Sequence, residues 1–304
     1  MREFVMGDIH GACHAMKQCL QLTGFDYKKD RLIQLGDVAD RNADVFECVE
    51  ELLKIKHLVV LRGNHDDWFD EFCQTSHHPV HWRYGGEATA KSYWRHANPK
   101  AALPPEDREW TSHLTPEHIP ASHRRFFAGL PLYHVDEQER CFVHAGFNCF
   151  LPFTGQPPST YFWDRELWTA ALEWQVNERL HLGQLPFQIK TKFREIFLGH
   201  TPTTGWNIHV PMRAANVYNL DTGAGQGGRL TIMDLETKKS WQSEPSKLTR
   251  FRSFEEMKSA PFAFPSDDLA RLQAERKETF DQLRSTFSAT NSPHLRKTNR
   301  KSLK

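Results

Sequence analysis

The 304-residue chain has no long apolar run, no closely spaced cysteine pair and no excess of either charge. The longest uncharged stretch, Cys141 to Trp163, is broken by Pro152, Pro157 and Pro158 and carries His144, Asn148 and Gln156, which a bilayer-spanning helix does not accommodate. The opening MREFVMGDIH lacks the apolar core of a secretory signal, so a cytoplasmic protein with no membrane partner is expected. Cys13, Cys19, Cys48, Cys73, Cys141 and Cys149 form no CxxC pair, which argues against a zinc knuckle or a disulfide framework and for reduced thiols. With 39 Lys and Arg against 38 Asp and Glu, the whole surface is not organised around nucleic acid. Three phosphatase chemistries are also missing: no cysteine has an arginine six residues on, and neither DxDx[TV] nor GxxxxGK occurs.

What is there is core material, 39% apolar and 12% aromatic. Short apolar runs bounded by glycine recur at Phe4–Met6, Leu32–Leu35, Leu58–Leu61, Cys141–Val143, Ile196–Leu198, Val217–Leu220 and Leu230–Met233, and read as buried strands. Helical periods fill Cys13–Leu22 and Asp44–Lys54 between the first three, so the strands pair in parallel in an α/β sheet. A helical, aromatic-rich insertion is expected over about 70–130, placed to roof a site, its histidines a solvated or packing set. Residues 1–245 form the expected catalytic domain. Residues 246–304 read as a helical extension with a basic, disordered tail.

Polar clusters follow the strands: Gly7-Asp8-Ile9-His10-Gly11, Gly36-Asp37-Val38-Ala39-Asp40-Arg41, Gly63-Asn64-His65-Asp66, His144-Ala145-Gly146 and Gly199-His200-Thr201. Strand ends of an α/β sheet converge on one crevice, so these clusters are expected to meet. Their O and N donors, without thiolate, suit Mn, Fe or Zn. Gly223-Ala224-Gly225-Gln226-Gly227-Gly228 satisfies GxGxxG, but a strand rather than a helix follows, so a hairpin turn is expected instead of a dinucleotide site.

Taken together, GDIHG, GDVADR, GNHD, HAG and GHT resemble the motifs of the calcineurin-like metallophosphoesterases over roughly residues 1–240, and the Asp40-Arg41 pair resembles their phosphoprotein phosphatase branch, notably its small bacterial and phage members. The resemblance implies a four-layer α/β/β/α sandwich with two mixed sheets and a dinuclear metal site at the strand C-terminal ends. It implies one cation on Asp8, His10 and Asp37, and a second on Asp37, Asn64, His144 and His200, with Mn2+ favoured and Fe or Zn as alternatives. A hydroxide between the cations would attack phosphorus in line. His65 would protonate the leaving group with Asp40 orienting it, and Arg41 would hold phosphate oxygens. Phe162-Trp163-Asp164-Arg165-Glu166 resembles the Trp-x-Arg-Glu segment of bacterial phosphatases, which makes Arg165 a second phosphate ligand; the alternative is a helix-surface arginine paired with Glu166 or Glu173. Asp221-Thr222-Gly223 recurs in the family as a loop beside the metals.

Two positions depart from the family pattern. Asn42 replaces a glycine, and Asp66 replaces the glutamate of the protein phosphatases, as in the diadenosine tetraphosphate hydrolases. The expected substrate is therefore a phosphoserine or phosphothreonine protein or a small phosphoester, with a dinucleoside polyphosphate or polynucleotide end as the alternative. A catalytically retired binding scaffold is the remaining reading, and the intact ligand set weighs against it. Finally, residues 246–304 hold 13 Lys and Arg against 7 Asp and Glu, so the near-neutral whole conceals an acidic catalytic part and a basic tail that could contact nucleic acid.

Overall fold

The computed structural model describes residues 1–100, 114–179 and 185–246. The extension and basic tail expected beyond residue 245 lie outside the described residues, Ser246 excepted. Ten strands occur among the described residues: β1 (Glu3–Met6), β2 (Arg31–Gln34), β3 (His57–Val60), β4 (Tyr133–Val135), β5 (Arg140–Val143), β6 (Glu195–Leu198), β7 (Met212–Ala214), β8 (Val217–Asn219), β9 (Thr231–Asp234) and β10 (Ser240–Gln242). They form two sheets, ordered β10-β9-β1-β2-β3 and β4-β5-β6-β8-β7. The inner pairs β1–β2, β2–β3, β5–β6 and β6–β8 are parallel, and β9, β10, β4 and β7 join antiparallel.

Strand periodicity explains why two sheets stack. Phe4 and Met6 of β1 point into one core while Val5 points into another, and Cys141 and Val143 of β5 flank Phe142 in the same way. The middle layer gathers Val5, Ile33, Phe142, Phe197, Tyr218 and Met233 from both sheets. Both faces of these strands are dry, which is why they read as unbroken apolar runs rather than alternating ones.

Helices cover the outer faces. On the first sheet lie α1 (Cys13–Leu22), α2 (Val45–Leu52), α3 (Asn64–Thr75), α4 (Gly86–Ala97) and α5 (Ala121–Ala128). On the second lie α6 (Pro158–Trp163), α7 (Glu166–Arg179) and α8 (Phe187–Thr191). The result is the expected four-layer α/β/β/α arrangement. The aromatic stretch after β3 is more than a roof: Phe69, Phe72, Trp82, Tyr93 and Phe127 are fully buried in the first helical layer. Each such ring contributes roughly 1.5–3 kcal/mol of apolar burial, so this segment is part of the core.

The glycine run 223–228 departs from expectation. It does not close a hairpin, because β8 belongs to the second sheet and β9 to the first; the run carries the chain across the sandwich through a short 3-10 turn at Ala224–Gln226. Gly223 and Gly227 supply the left-handed φ of 84° and 85° that this crossing needs.

Candidate active site

The C-terminal ends of β1, β2, β3, β5, β6 and β8 face one edge of the sandwich, and the loops after them meet around a cavity of about 430 Å3. His10, Asp37, Arg41, Asn64, His65, Arg165, His200 and Asp221 line it. Asp8 and His144 lie buried behind this lining. All the site residues expected from the sequence thus come together, although they span 192 positions of chain from Asp8 to His200.

The backbone at this edge is strained. His10, Asp37, Asp40, Arg41 and His200 adopt left-handed φ values of 49°, 56°, 73°, 68° and 64° without being glycine. Such conformations cost on the order of 1–3 kcal/mol each and persist only where the surroundings impose them. At Asp37 the constraint comes from Asp66: its buried carboxylate accepts the backbone N–H groups of Asp37 (2.7 Å), Val38 (2.9 Å), Ala39 (3.0 Å) and Gly63 (3.0 Å). It thereby fixes the loop after β2 to the start of α3.

Two ligand groups share one carboxylate. Candidate ligand atoms of His10, Asp37 and His65 lie within 4.8 Å of one another, and so do those of Asp37, His144 and His200. The rings are oriented from behind. His10 donates Nδ1–H to the Ala39 carbonyl at 2.9 Å, and His144 donates Nδ1–H to the Leu35 carbonyl at 2.8 Å. In that tautomer each Nε2 carries a bare lone pair, yet His10 Nε2 stands 3.4 Å and His144 Nε2 3.5 Å from Asp37 Oδ2. Asn64 Oδ1 faces His144 Nε2 at 3.3 Å. Acceptors turned toward acceptors at such distances repel unless a cation lies among them.

Two further buried atoms, Asp8 Oδ1 and His200 Nε2, have no hydrogen-bond partner. The donor set therefore fits divalent cations. Protonation agrees: burial holds His10 down at about 3 and lowers His144 and His200, which leaves the imidazoles neutral at pH 7, the form a cation requires. Burial and the neighbouring Asp221 and Asp37 push Asp8 well up, and burial lifts Asp221 to about 7. This crowding of carboxylates is what bound cations would relieve.

Asp8 departs in detail from its expected grouping. Its Oδ2 accepts the His200 N–H at 3.0 Å, and it belongs to neither set of mutually close ligand atoms. Gly199 makes that approach possible, since a Cβ there would lie 2.0 Å from Asp8 Oδ1. His65, by contrast, sits beside His10 and Asp37, but Asp40 Oδ2 engages its Nδ1 at 2.7 Å. Burial resists protonation of His65, and the Asp37 and Asp40 charges overcome it, holding the imidazole above its ordinary value.

Arg41 and Arg165 are both exposed and both reach the cavity. Arg165 donates to Thr201 Oγ1 at 3.0 Å, beside His200, which places it at the site rather than on a helix surface. The remaining wall is aromatic. Trp68 packs on His65 (4.6 Å between ring centroids), His81 (5.9 Å) and Trp163 (5.5 Å), and Tyr84 closes the rim. Asp66 as a loop clamp could have been suspected from its place at the third position of a helix start. The two donors that hold Asp40, Trp82 Nε1 and Thr89 Oγ1, carry no sequence signal.

Comparison with known proteins places this geometry. A sequence profile described as calcineurin-like phosphoesterase matches residues 1–219. Serine/threonine-protein phosphatase 1 of Salmonella typhimurium is 27% identical over 233 residues, covering 77% of this chain and 91% of that protein. The symmetrical bis(5'-nucleosyl)-tetraphosphatase of Cellvibrio japonicus is 27% identical over 275 residues, covering 78% and 96%. Among solved structures, a provisionally assigned diadenosine tetraphosphatase superposes with a TM-score of 0.53 at 17% identity, over 79% of this chain and 92% of that one, and so shares the fold.

Proposed function

The chain belongs to the calcineurin-like phosphoesterases, and from that premise we propose a phosphomonoesterase that works with two divalent cations, Mn2+ foremost. The observation that carries this reading is the Asp37 carboxylate, common to both groups of potential ligands and faced by imidazole lone pairs from either side. Asp8, His10 and Asp37 would hold one cation, and Asp37, Asn64, His144 and His200 the other. When bound, the pair supplies Lewis acidity toward phosphoryl oxygen and activation of water at neutral pH.

The chain's own residues do the rest. His65, fixed through Nδ1 by Asp40, keeps Nε2 free to hand a proton to the leaving oxygen. Arg41 and Arg165, reaching the cavity from separate segments of the chain, hold the non-bridging phosphate oxygens with planar donor forks.

For the substrate, a phosphoserine or phosphothreonine protein is supported by the Asp40-Arg41 pair and by the Salmonella relative. A second reading, a dinucleoside polyphosphate, is favoured by the wall of Trp68, His81, Tyr84 and Trp163 beside the ligand groups, since such rings offer stacking surface to a nucleobase. A panel run with Mn2+ separates them: phosphoserine and phosphothreonine peptides, a phosphotyrosine peptide, diadenosine tetraphosphate and a 3'-phosphorylated oligonucleotide. The ratio of kcat/KM values assigns the class. Chelator should abolish turnover of every substrate, and undiminished turnover in metal-free buffer overturns the two-cation reading.

A further inference from the structure

The Asp40 carboxylate is held more completely than orientation of one histidine requires. Oδ2 accepts from His65 Nδ1 at 2.7 Å, while Oδ1 accepts from Trp82 Nε1 at 3.0 Å and from Thr89 Oγ1 at 2.6 Å. The Thr89 hydroxyl also accepts the Asp40 backbone N–H at 2.8 Å. One threonine thus ties both the side chain and the left-handed backbone of Asp40, whose φ is 73°. All three residues are buried, and Trp82 is locked by packing on Phe72 (4.8 Å) and Phe69 (5.8 Å).

We infer that Trp82 and Thr89 are positioning residues for proton delivery: by saturating Oδ1 they leave Oδ2 as the only oxygen of Asp40 that can engage His65. Two donors on one oxygen prevent the carboxylate from rotating about its terminal bond. His65 is then held with its Nδ1–H on Asp40 and its Nε2 toward the cavity, so that in the imidazolium form the Nε2 proton is the one delivered to the leaving oxygen and the neutral imidazole is left behind. Both residues come from the aromatic segment, Trp82 in the 3-10 turn at Val80–Tyr84 and Thr89 in α4, so this segment serves the chemistry from beneath as well as walling the pocket. Gly86 permits the arrangement, because a Cβ there would fall 2.4 Å from Trp82 Nε1. The inference rests on the reading of His65 as the proton donor, and the test keeps the two apart.

Trp82→Phe removes the N–H and keeps a packing ring; Thr89→Val removes the hydroxyl at equal shape; Thr89→Ser keeps it. With Mn2+ loaded, each of the first two should lower kcat about 10–100-fold on an alkyl phosphate, whose leaving alkoxide needs the proton. On p-nitrophenyl phosphate, whose leaving group does not, the loss should stay within about threefold, KM and metal content should be unchanged, and Thr89→Ser should restore activity. In the protein loaded with diamagnetic Zn2+ instead of Mn2+, the 1H NMR signal of the His65 Nδ1 proton should broaden or move in Trp82→Phe and Thr89→Val, a readout independent of turnover. Equal losses on both substrates, or an unmoved proton signal, overturn the inference. Should His65→Asn lose activity without regard to leaving group, the proton-donor reading fails, and the NMR signal alone then decides whether the clamp orients His65.

Discussion

Asp66 holds Asp37 by its backbone, its Oδ2 accepting the Asp37 N–H at 2.7 Å while Asp37 supplies the carboxylate shared by both ligand groups. The residue that departs from the protein-phosphatase pattern therefore anchors the carboxylate that is proposed to bridge the cations. Asp66→Ala would leave four buried N–H donors without an acceptor, at about 1–3 kcal/mol each before water enters. The expected result is a loss of at least about 3 kcal/mol in urea unfolding and weakened Mn2+ binding. Unchanged stability and metal affinity would show that the loop is held by other contacts.

Cation binding should release protons. In the metal-free site burial raises Asp66 and Asp221 to about 7 and lifts Asp8 well above its ordinary range, whereas burial lowers His10, His144 and His200. Asp221, at about 7, is largely protonated at pH 6 and loses its proton when cations bind beside it; a histidine with a lowered pKa is already neutral and gives up nothing. Affinity for Mn2+ should therefore climb as pH rises through about 7 and level off above it. Titration calorimetry at pH 6 in buffers of different ionisation heat measures the release. Asp221→Asn should reduce it, and a binding heat independent of buffer contradicts the assignment.

The sequence made the buried frame legible and left the edges obscure, for a physical reason. Strands such as β2 and β6 are dry on both faces and show as apolar runs ending in glycine. The missed strands β4, β7 and β10 all sit at sheet edges, where Val135, Arg213 and Ser240 are exposed and the pattern dissolves. The site divides in the same way. Ligand-type residues directly after strands could be read from Asp8, Asp37 and His200. Trp82 and Thr89 reach Asp40 across 42 and 49 residues, a contact that only the packed fold creates. The crossing of the glycine run between sheets was equally invisible, since β9 looks the same whichever sheet it joins.

Asp40→Asn should change the pH profile as well as the rate. The Asp40 charge helps to hold His65 protonated against burial. An acid must carry its proton to give it, so turnover of an alkyl phosphate falls as pH rises through the His65 pKa. Removing the charge lowers that pKa, and the alkaline limb of kcat should move toward acid with metal content unchanged. An alkaline limb that stays in place would assign it to some other group.

Arg165→Ala should lower kcat/KM about 10–100-fold with both cations retained, because its guanidinium reaches the cavity beside His200 and Thr201 without ligating. Arg165→Lys should recover little, since an ammonium cannot reproduce the planar fork. Wild-type kinetics in Arg165→Ala would return it to the surface role that its sequence equally allowed.

Gly199→Ala tests whether Asp8 is a ligand at all. A methyl at residue 199 would stand 2.0 Å from Asp8 Oδ1, closer than any real contact, so the carboxylate must swing away and release the His200 N–H it accepts at 3.0 Å. The apolar residues of β6 are untouched, and Gly199 is not among the glycines with left-handed φ, so the fold should survive. Metal analysis should then find Mn2+ falling from two toward one per chain, with near-native circular dichroism and turnover reduced about 100-fold or more. Asp8→Asn should reproduce this without the steric clash. If both variants keep two cations, Asp8 is a buried partner of the His200 backbone and the first cation rests on His10, Asp37 and the Nε2 of His65, which would remove His65 from proton transfer.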